Sequence, residues 1–275
     1  LLDIVEQGGV SIKPKYTGHA DAEGLRAIGW TDEDITYYQE HGINWNEEDD
    51  EYHKVTDDNK ALYGVLTADN IVDYKERIVY LPKIDTSSVT NMGEMFKDCY
   101  SLVSTPVLDT RNVVYMNSMF INCYSLVCVP PLDTSKVVDM DSMFYLCVAL
   151  ASIPQFDTNN VTYTGNVFYG CYSLVSIPQL DTSKVTDMNN MFSNCYALLS
   201  IPPLDTRNVL DMNNMFYKCF NIKTIPQLDT SKVTNMNSMF YGCYSLVSIP
   251  PMDTRKVTDM TNLFRQDYSI VSVPQ

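Results

Sequence analysis

The sequence predicts an α/β solenoid, a stack of eight 24-residue coils with short parallel strands, preceded by a small α-helical module. An aspartate recurs every 24 residues, the residues around it repeat with it, and no copy carries an insertion or deletion. Fixed periods of about 20 to 50 residues are typical of solenoids, in which each unit packs on its neighbours. The repeated aspartates are Asp85, Asp109, Asp133, Asp157, Asp181, Asp205, Asp229 and Asp253.

The composition is that of a folded and strongly acidic protein. Of the 275 residues, 45% are hydrophobic, and the formal net charge is -15. Residues 1–82 hold 18 acidic and 7 basic side chains, so most of the negative charge precedes the repeats. An acidic chain repels phosphate backbones, which argues against nucleic acid as a partner. No stretch approaches the roughly 20 apolar residues of a bilayer span, so we expect no membrane insertion.

The small α-helical module is expected over residues 1–66. Its sequence "DAEGLRAIGWTDEDITYYQEHGI" fits two short helices, the second with Thr31 as its N-cap and Gly42 at its end. Residues 67–82 fit an N-terminal cap of the solenoid, because "TADNIVDYKE" predicts a helix that begins at Thr67. The eight coils then occupy residues 83–275.

Each coil combines two hydrophobic periodicities. In "SLVSIPQLD", Leu174, Ile177 and Leu180 follow the L-x-x-I-x-x-L frame of a leucine-rich repeat, which predicts a short strand parallel to that of the next coil. In "VTDMNNMFSNCYAL", apolar residues spaced by 3, 3, 1, 3 and 3 positions mark one face of a helix or of helical turns. The repeated proline, Pro178 in this coil, cannot donate to a ladder, so each strand must be very short or bonded on one side.

The cysteines form a column with the same period, and we expect them to be small buried hydrophobes rather than a reactive or metal site. No C-x-x-C spacing occurs, and a nucleophile needs a base. Cys128 lies off the column and is expected to be a more exposed thiol. All histidines precede the repeats, at His19, His41 and His53. The sequence therefore predicts no catalytic residues, no metal site and no cofactor.

The aspartate column has two interpretations. Stacked carboxylates could bind calcium, or each aspartate could cap the backbone amides of the turn that follows, assisted by the threonine after it. Capping is the preferred interpretation, with basic side chains two or three residues later relieving the repulsion. The acidic run at 47–51 is read as a solvated loop.

The tyrosines are the best candidates for ligand contact. Six follow the cysteine column, just outside the apolar phase, so they should be partly exposed. Rows of rigid rings with a polar tip suit the binding of protein or glycan, whereas the structural alternative is that the rings stack between coils and shield the edge. The six are Tyr100, Tyr124, Tyr172, Tyr196, Tyr244 and Tyr268, and a second row after the phenylalanines comprises Tyr145, Tyr169, Tyr217 and Tyr241.

The repeat "LDTSKVTDMNNMFYxCYSLVSIP" resembles the BspA-like leucine-rich repeat surface proteins, of the D-T-S-x-V-T-x-M-x-x-M-F-x-x-C type, over residues 78–275. That resemblance implies adhesion without catalysis and supplies no conserved site residues. Two N-terminal segments, "GWTDEDI" and "GINWNEEDDEYHKV", resemble those that precede such repeats in tail proteins of phages of gut bacteria, crAss-like phages among them. This second resemblance implies a virion.

We therefore expect a non-enzymatic recognition or adhesion module, carried on a phage tail or on a bacterial cell surface. Its partner would be a protein or glycan receptor on a cell surface, or neighbouring virion proteins. Display in several copies would strengthen many weak contacts. The alternative is a structural spacer or assembly protein of a larger particle, docked through residues 1–82.

Overall fold

The structure, a computed structural model, describes residues 86–272, so the predicted module at 1–66 and cap at 67–82 lie outside the described residues. The described coils form a solenoid, which confirms the predicted repeat architecture. One phenylalanine per coil stacks on the next through the centre, with ring centroids 5.3 to 5.9 Å apart. The eight stacked rings are Phe96, Phe120, Phe144, Phe168, Phe192, Phe216, Phe240 and Phe264.

The segment that the spacing assigned to a helix is a run of tight turns, and residues 86–272 contain no helix. We call it the turn segment, residues 188–198 and their equivalents at 24-residue steps. The amides of Met191, Ser193 and Cys195 each donate to the carbonyl three residues earlier. The amides between them, from Met188 to Asn194, donate to carbonyls of the next coil at 2.7 to 3.0 Å. Alternate amides therefore close turns and join coils.

Left-handed backbone conformations explain why the helix prediction is wrong. Asn190 and Asn194 have φ of 53° and 62°, and equivalent positions of the other described coils also have positive φ. Each such residue is third in a four-residue turn, where a type II turn requires positive φ. Asparagine and glycine adopt this conformation more easily than other residues, whereas an α-helix excludes it. Successive tight turns still bring every third or fourth residue inward, which is why the spacing imitates a helix.

The predicted short parallel strands are reduced to isolated parallel bridges, because the segment around Pro178 makes at most two backbone hydrogen bonds per coil junction. The amide of Ala197 donates to the carbonyl of Tyr172 at 3.1 Å. The amide of Leu199 donates to the carbonyl of Val175 at 3.1 Å. Pro178 has no N–H, and the side-chain amide of Gln179 instead donates to the carbonyl of Pro203 at 2.7 Å. Residues 86–272 contain no continuous strand, only isolated parallel bridges. These are Asn91–Tyr115, Tyr115–Asp139, Asp139–Tyr163, Asp187–Asp211, Asp211–Asn235, Asn235–Asp259 and Ser248–Ser272.

The inward face of each coil is the one that the spacing predicts. In the coil around Phe192 the predicted apolar residues are all fully buried, namely Val185, Met188, Met191, Phe192, Cys195 and Leu198. One coil is less well filled, because Thr164 and Val167 stand where other coils carry methionine, and a cavity of about 20 Å³ lies beside them. No helix able to span a bilayer occurs in the part of the chain that the structure describes.

The last described coil is the most open. Met260 is 45% exposed, although its equivalents in the preceding coils are buried. Asp267 occupies the cysteine position, where one carboxylate oxygen accepts the amide of Cys243 at 2.6 Å and the other is buried without a partner. Burial raises the pKa of Asp267 to about 6.

Candidate functional site

The repeated aspartates cap the turn that follows them, as the preferred interpretation predicted. Oδ1 of Asp181 accepts the amide of Ser183 at 2.9 Å. Hydrogen bonds from Ser183 lower the pKa of this carboxyl, as expected when donors favour the charged form. Residues 86–272 bring together no three histidine, cysteine, aspartate or glutamate side chains that could hold a metal ion. The same cap occurs at Asp109, Asp133, Asp157, Asp205, Asp229 and Asp253.

The threonine that follows the repeated aspartate links neighbouring coils at most of the described junctions. Oγ1 of Thr134 donates to the carbonyl of Asp157 at 2.9 Å and accepts the amide of the same residue at 2.8 Å. Thr86 also makes both bonds, whereas Oγ1 of Thr110 is buried without a partner. One of the two bonds occurs at Thr158, Thr182, Thr206 and Thr230. Because these threonines are buried, they act inside the stack and offer no surface to a ligand.

Basic side chains beside the aspartate column play two roles that alternate along the stack. Arginines pair with the aspartate of their own coil, as Arg255 does with Asp253 at 2.6 Å. Hydrogen bonds from Arg255 lower the pKa of Asp253 to about 2. Lysines instead reach the preceding coil, where Nζ of Lys184 donates to Asn160 at 2.9 Å. Arg111, Arg207 and Arg255 thus neutralise the carboxylates of their own coils, whereas the coil of Asp157 carries no basic side chain at these positions.

The cysteine column is buried and has a structural role. The thiol of Cys195 donates to the carbonyl of Phe168 at 3.1 Å, and Cys123, Cys147, Cys171, Cys219 and Cys243 make the equivalent bond. Burial raises the pKa of the Cys195 thiol well above its ordinary value, so the reactive thiolate is disfavoured. Cys128, expected to be more exposed, is half-buried, and burial raises the pKa of its thiol as well.

Five rings stack face to face along one edge of the solenoid, and we call this row the long ladder. The ring centroids of successive members lie 4.5, 4.6, 5.0 and 6.1 Å apart, and the planes are within 18° of parallel. Two further rings form a short ladder with centroids 5.2 Å apart. The long ladder comprises Tyr172, Tyr196, Phe220, Tyr244 and Tyr268, and the short ladder comprises Tyr100 and Tyr124.

The six predicted contact tyrosines therefore lie on these two ladders, and both interpretations of them describe part of the geometry. The rings stack between coils, yet Tyr124, Tyr172 and Tyr244 remain about two-fifths exposed. Stacking covers the faces of the inner rings, so the edges and hydroxyls meet solvent. Phe220 also belongs to the ladder and lies 24 residues after Tyr196, but a pattern of tyrosines alone does not predict it. That these rings bind a ligand stays a prediction.

The second row of tyrosines lies beside the ladders and forms two pairs. Tyr145 stacks on Tyr169 at 4.6 Å, and Tyr217 stacks on Tyr241 at 4.8 Å. The pKa of Tyr145 is raised by burial and then by Tyr169, Tyr172 and Tyr124, which lie close enough to interact with it electrostatically. Two rings of this row also lie beneath a basic side chain. Nζ of Lys218 lies 5.2 Å from the ring centroid of Tyr217, and Cζ of Arg265 lies 5.9 Å from that of Tyr241.

The two ladders are separated by a single coil, in which Val148 stands at the ring position. The backbone keeps its register through this coil, because the amide of Ser173 donates to the carbonyl of Val148 at 3.2 Å. The amide of Ser125 makes the same bond to Tyr100, also at 3.2 Å. The ring is therefore absent because the side chain differs, while the backbone is unchanged. We call the space over Val148, between the rings of Tyr124 and Tyr172, the notch.

The repeats match a known protein family. The family model described as "Mycoplasma protein of unknown function, DUF285" matches residues 71–174, 107–200, 128–219 and 198–272, which overlap to cover most of the chain. No curated protein matches the chain.

Two solved leucine-rich repeat proteins are similar to the chain. The crystal structure of the leucine-rich repeat protein TpLRR of T. pallidum is 24% identical, with a TM-score of 0.48, over 61% of this chain and 76% of that one. A leucine-rich repeat protein from Bacteroides ovatus ATCC 8483 is 19% identical, with a TM-score of 0.39, over 74% of this chain and 61% of that one.

Of these comparisons, the family model alone bears on the family of the repeats. The resemblance of the N-terminal segment to phage tail proteins finds no support among them. The family match extends from residue 71 to residue 272, well over half of the 275 residues. The chain therefore belongs to the DUF285 family.

Proposed function

We propose that this chain is a non-enzymatic recognition module that binds a protein or glycan on a cell surface through its aromatic ladders. The observation that carries the proposal is the long ladder, which aligns ring edges and phenol hydroxyls over five successive coils. Such edges combine apolar contact with hydrogen bonding and lose little conformational freedom on binding, because stacking already holds the rings.

The chemistry of the described coils supports binding rather than catalysis. The thiols of the cysteine column are buried, and burial raises their pKa. The aspartates of the repeated column are engaged with the amides of the next turn. Neither column offers an activated nucleophile beside a general base.

The setting we propose is the exterior of a particle or cell, either a bacterial surface or a virion tail. Each ladder edge contributes a modest contact, so several copies of the chain on one surface would raise the overall avidity. The acidic charge of the chain favours receptors that are not polyanionic.

Cell binding by two matched double variants tests the proposal. Tyr172→Ala/Tyr244→Ala removes two ring edges of the long ladder. Tyr115→Ala/Tyr163→Ala removes two tyrosines that are at least as exposed but lie off the ladders. With the full chain labelled and applied to bacterial cells, mammalian cells and a glycan array, we expect the first variant to lose at least tenfold in binding and the second to keep wild-type binding. Equal losses in both variants would contradict the assignment to the ladders.

A structural spacer is the second candidate. It is favoured by the unbroken hydrogen bonding between coils, in which the turn segment of Met188–Asn194 alone donates four amides to the next coil. If the wild-type chain binds no cell or glycan, and residues 1–82 are needed to retain a protein of the particle, this function would replace recognition.

A further inference from the structure

We propose that the notch above Val148 is a binding slot for one aromatic side chain of a partner polypeptide. The inference rests on the proposed recognition function and gives its partner a chemical identity. In this view the partner inserts a phenyl, phenol or indole ring between Tyr124 and Tyr172 and completes a single ladder that joins the short and the long one.

The solenoid itself contains the template for this slot three coils further on. There Phe220 lies between Tyr196 and Tyr244, with ring centroids 4.6 and 5.0 Å from its neighbours. Tyr124 and Tyr172 occupy the same column at the same separation of 48 residues, with Val148 in place of the phenylalanine. Phe220 therefore shows the position that an inserted ring would take.

The width of the notch matches one ring. The core phenylalanines of the three coils concerned, Phe120, Phe144 and Phe168, are spaced by 5.5 and 5.9 Å. If the facing rings follow the spacing of the core, they are about 11 Å apart, and a ring midway stacks on both at the centroid separations that aromatic pairs prefer. The backbone hydrogen bond at Val148 is the same as in the neighbouring coils, so no inserted or bulged residue widens the notch.

The walls of the notch are accessible. Tyr124 is 41% exposed and Tyr172 is 39% exposed, so both walls reach solvent. Tyr145 lies to one side, close enough to Tyr124 and Tyr172 for both to affect its pKa, while its own ring stacks on Tyr169. The slot therefore has two aromatic walls, an aliphatic floor at Val148 and a phenol at its side.

The surroundings favour an aromatic ring over a cation or a sugar. The three segments that form the notch, 121–127, 145–151 and 169–175, contain no aspartate, glutamate, lysine or arginine. A guanidinium in the slot would find no carboxylate there, although the flanking rings attract cations. A pyranose needs partners for several hydroxyls, whereas the floor offers Val148 and Ala149.

The test uses the full chain with isotopically labelled tyrosines, titrated with N-acetylphenylalaninamide and followed by NMR. Signals are assigned with single Tyr→Phe variants, which keep the ring. We expect the resonances of Tyr124 and Tyr172 to shift together and saturate, while those of Tyr244 stay in place. N-acetylargininamide and methyl β-glucopyranoside serve as the cation and pyranose probes. The proposal would be overturned if either of them shifted the resonances of Tyr124 and Tyr172 saturably and the phenyl probe did not.

Val148→Tyr supplies the missing ring from within the chain and leaves every ladder edge in place. It should weaken binding of the phenyl probe at least tenfold. The matched change Val247→Tyr, at an exposed position off the ladders and outside the notch segments, should not. Because the wild-type titration needs no variant, an absence of saturable shifts at Tyr124 and Tyr172 overturns the slot whatever Val148→Tyr does.

The same variant separates failure of the slot from failure of the recognition function. If the ladders bind cells but the slot is wrong, Val148→Tyr binds cells as tightly as the wild type and the phenyl probe causes no shift. If the slot is right, Val148→Tyr loses at least tenfold in cell binding and the probe shifts are present in the wild type. If recognition itself is wrong, the wild type binds no cell, and the slot loses its assignment as a partner site even where the probe binds.

Discussion

Gly242→Ala distinguishes the turn segment from the helix that the spacing imitates. Gly242 has φ of +71°, and a Cβ placed there would meet its nearest neighbour, Cγ of Lys218, at 3.5 Å, an ordinary van der Waals distance. The substitution therefore changes backbone preference almost without changing packing. In a helix, alanine in place of glycine would stabilise the protein by about 1 kcal/mol.

The turn geometry predicts the opposite sign. An L-residue in the left-handed region costs about 1 to 2 kcal/mol relative to glycine, and the stiffer unfolded chain returns about 0.5 kcal/mol. We expect Gly242→Ala to lower the free energy of unfolding by about 1 kcal/mol, which lowers the unfolding temperature of a chain of this size by about 2 to 4 °C. The assay is thermal and urea unfolding of the full chain, followed by circular dichroism.

Gly170→Ala is the matched comparison. Gly170 also has φ of +71°, but its added Cβ would lie 2.5 Å from Cδ2 of Leu146. This variant should lose more stability than Gly242→Ala, and Leu146→Ala in the same chain should recover the excess. A stabilising effect of Gly242→Ala would refute the left-handed turns, and equal effects at both glycines would refute the contact with Leu146.

Three further predictions concern the core and the last described coil. Val167→Met should fill the cavity of about 20 Å³ and stabilise the protein by about 0.5 kcal/mol, whereas Val161→Met in a filled region should destabilise it by about 1 to 3 kcal/mol in the same unfolding assay. Cys195→Ala should lower the free energy of unfolding by about 1 to 2 kcal/mol, because the packing of the sulfur and its hydrogen bond to Phe168 are lost. Cell binding should stay unchanged. Lost binding with unaltered stability would instead indicate a direct role of the thiol in binding. Burial raises the pKa of Asp267 to about 6 in the folded chain, so the folded state binds more protons than the unfolded chain between about pH 4 and 6. Wild-type stability should therefore fall as the pH rises from about 4 to 6, by about 1 to 2 kcal/mol after solvent screening of this half-buried group. Asp267→Asn should flatten the pH profile of the unfolding temperature.

The sequence predicts the repeat length and the inward face because both follow from spacing. It does not distinguish a helix from successive tight turns, since both bring Met188, Met191 and Cys195 to one side. A signal that favours the turns is asparagine or glycine at several of these positions, among them Asn190, Asn194 and Gly242, because both residues tolerate positive φ. Leu146 and Lys218, at equivalent positions, give no such signal. The strand prediction failed at Pro178, where the chain replaces a backbone donor with the side chain of Gln179.

The aromatic edge was predictable as an exposed row but not as a ladder. Whether neighbouring rings stack depends on the separation of successive coils, and 24-residue periodicity does not give that distance. The observed separations of 4.5 to 6.1 Å bring the rings into contact and cover their faces. The notch could not be predicted from the sequence. A valine in a column of tyrosines indicates a gap between rings only if the rings of the neighbouring coils stack.

Repetition along the ladders also bears on how a partner finds its position. A ligand that reads only ring edges meets almost the same surface after moving by one coil, so several registers are nearly equivalent and none is unique. That degeneracy favours rapid capture and tolerates partners of different length. The notch above Val148 occurs once between Tyr100 and Tyr268. A partner that places a ring there is held in one register, although the rest of the ladder surface is periodic.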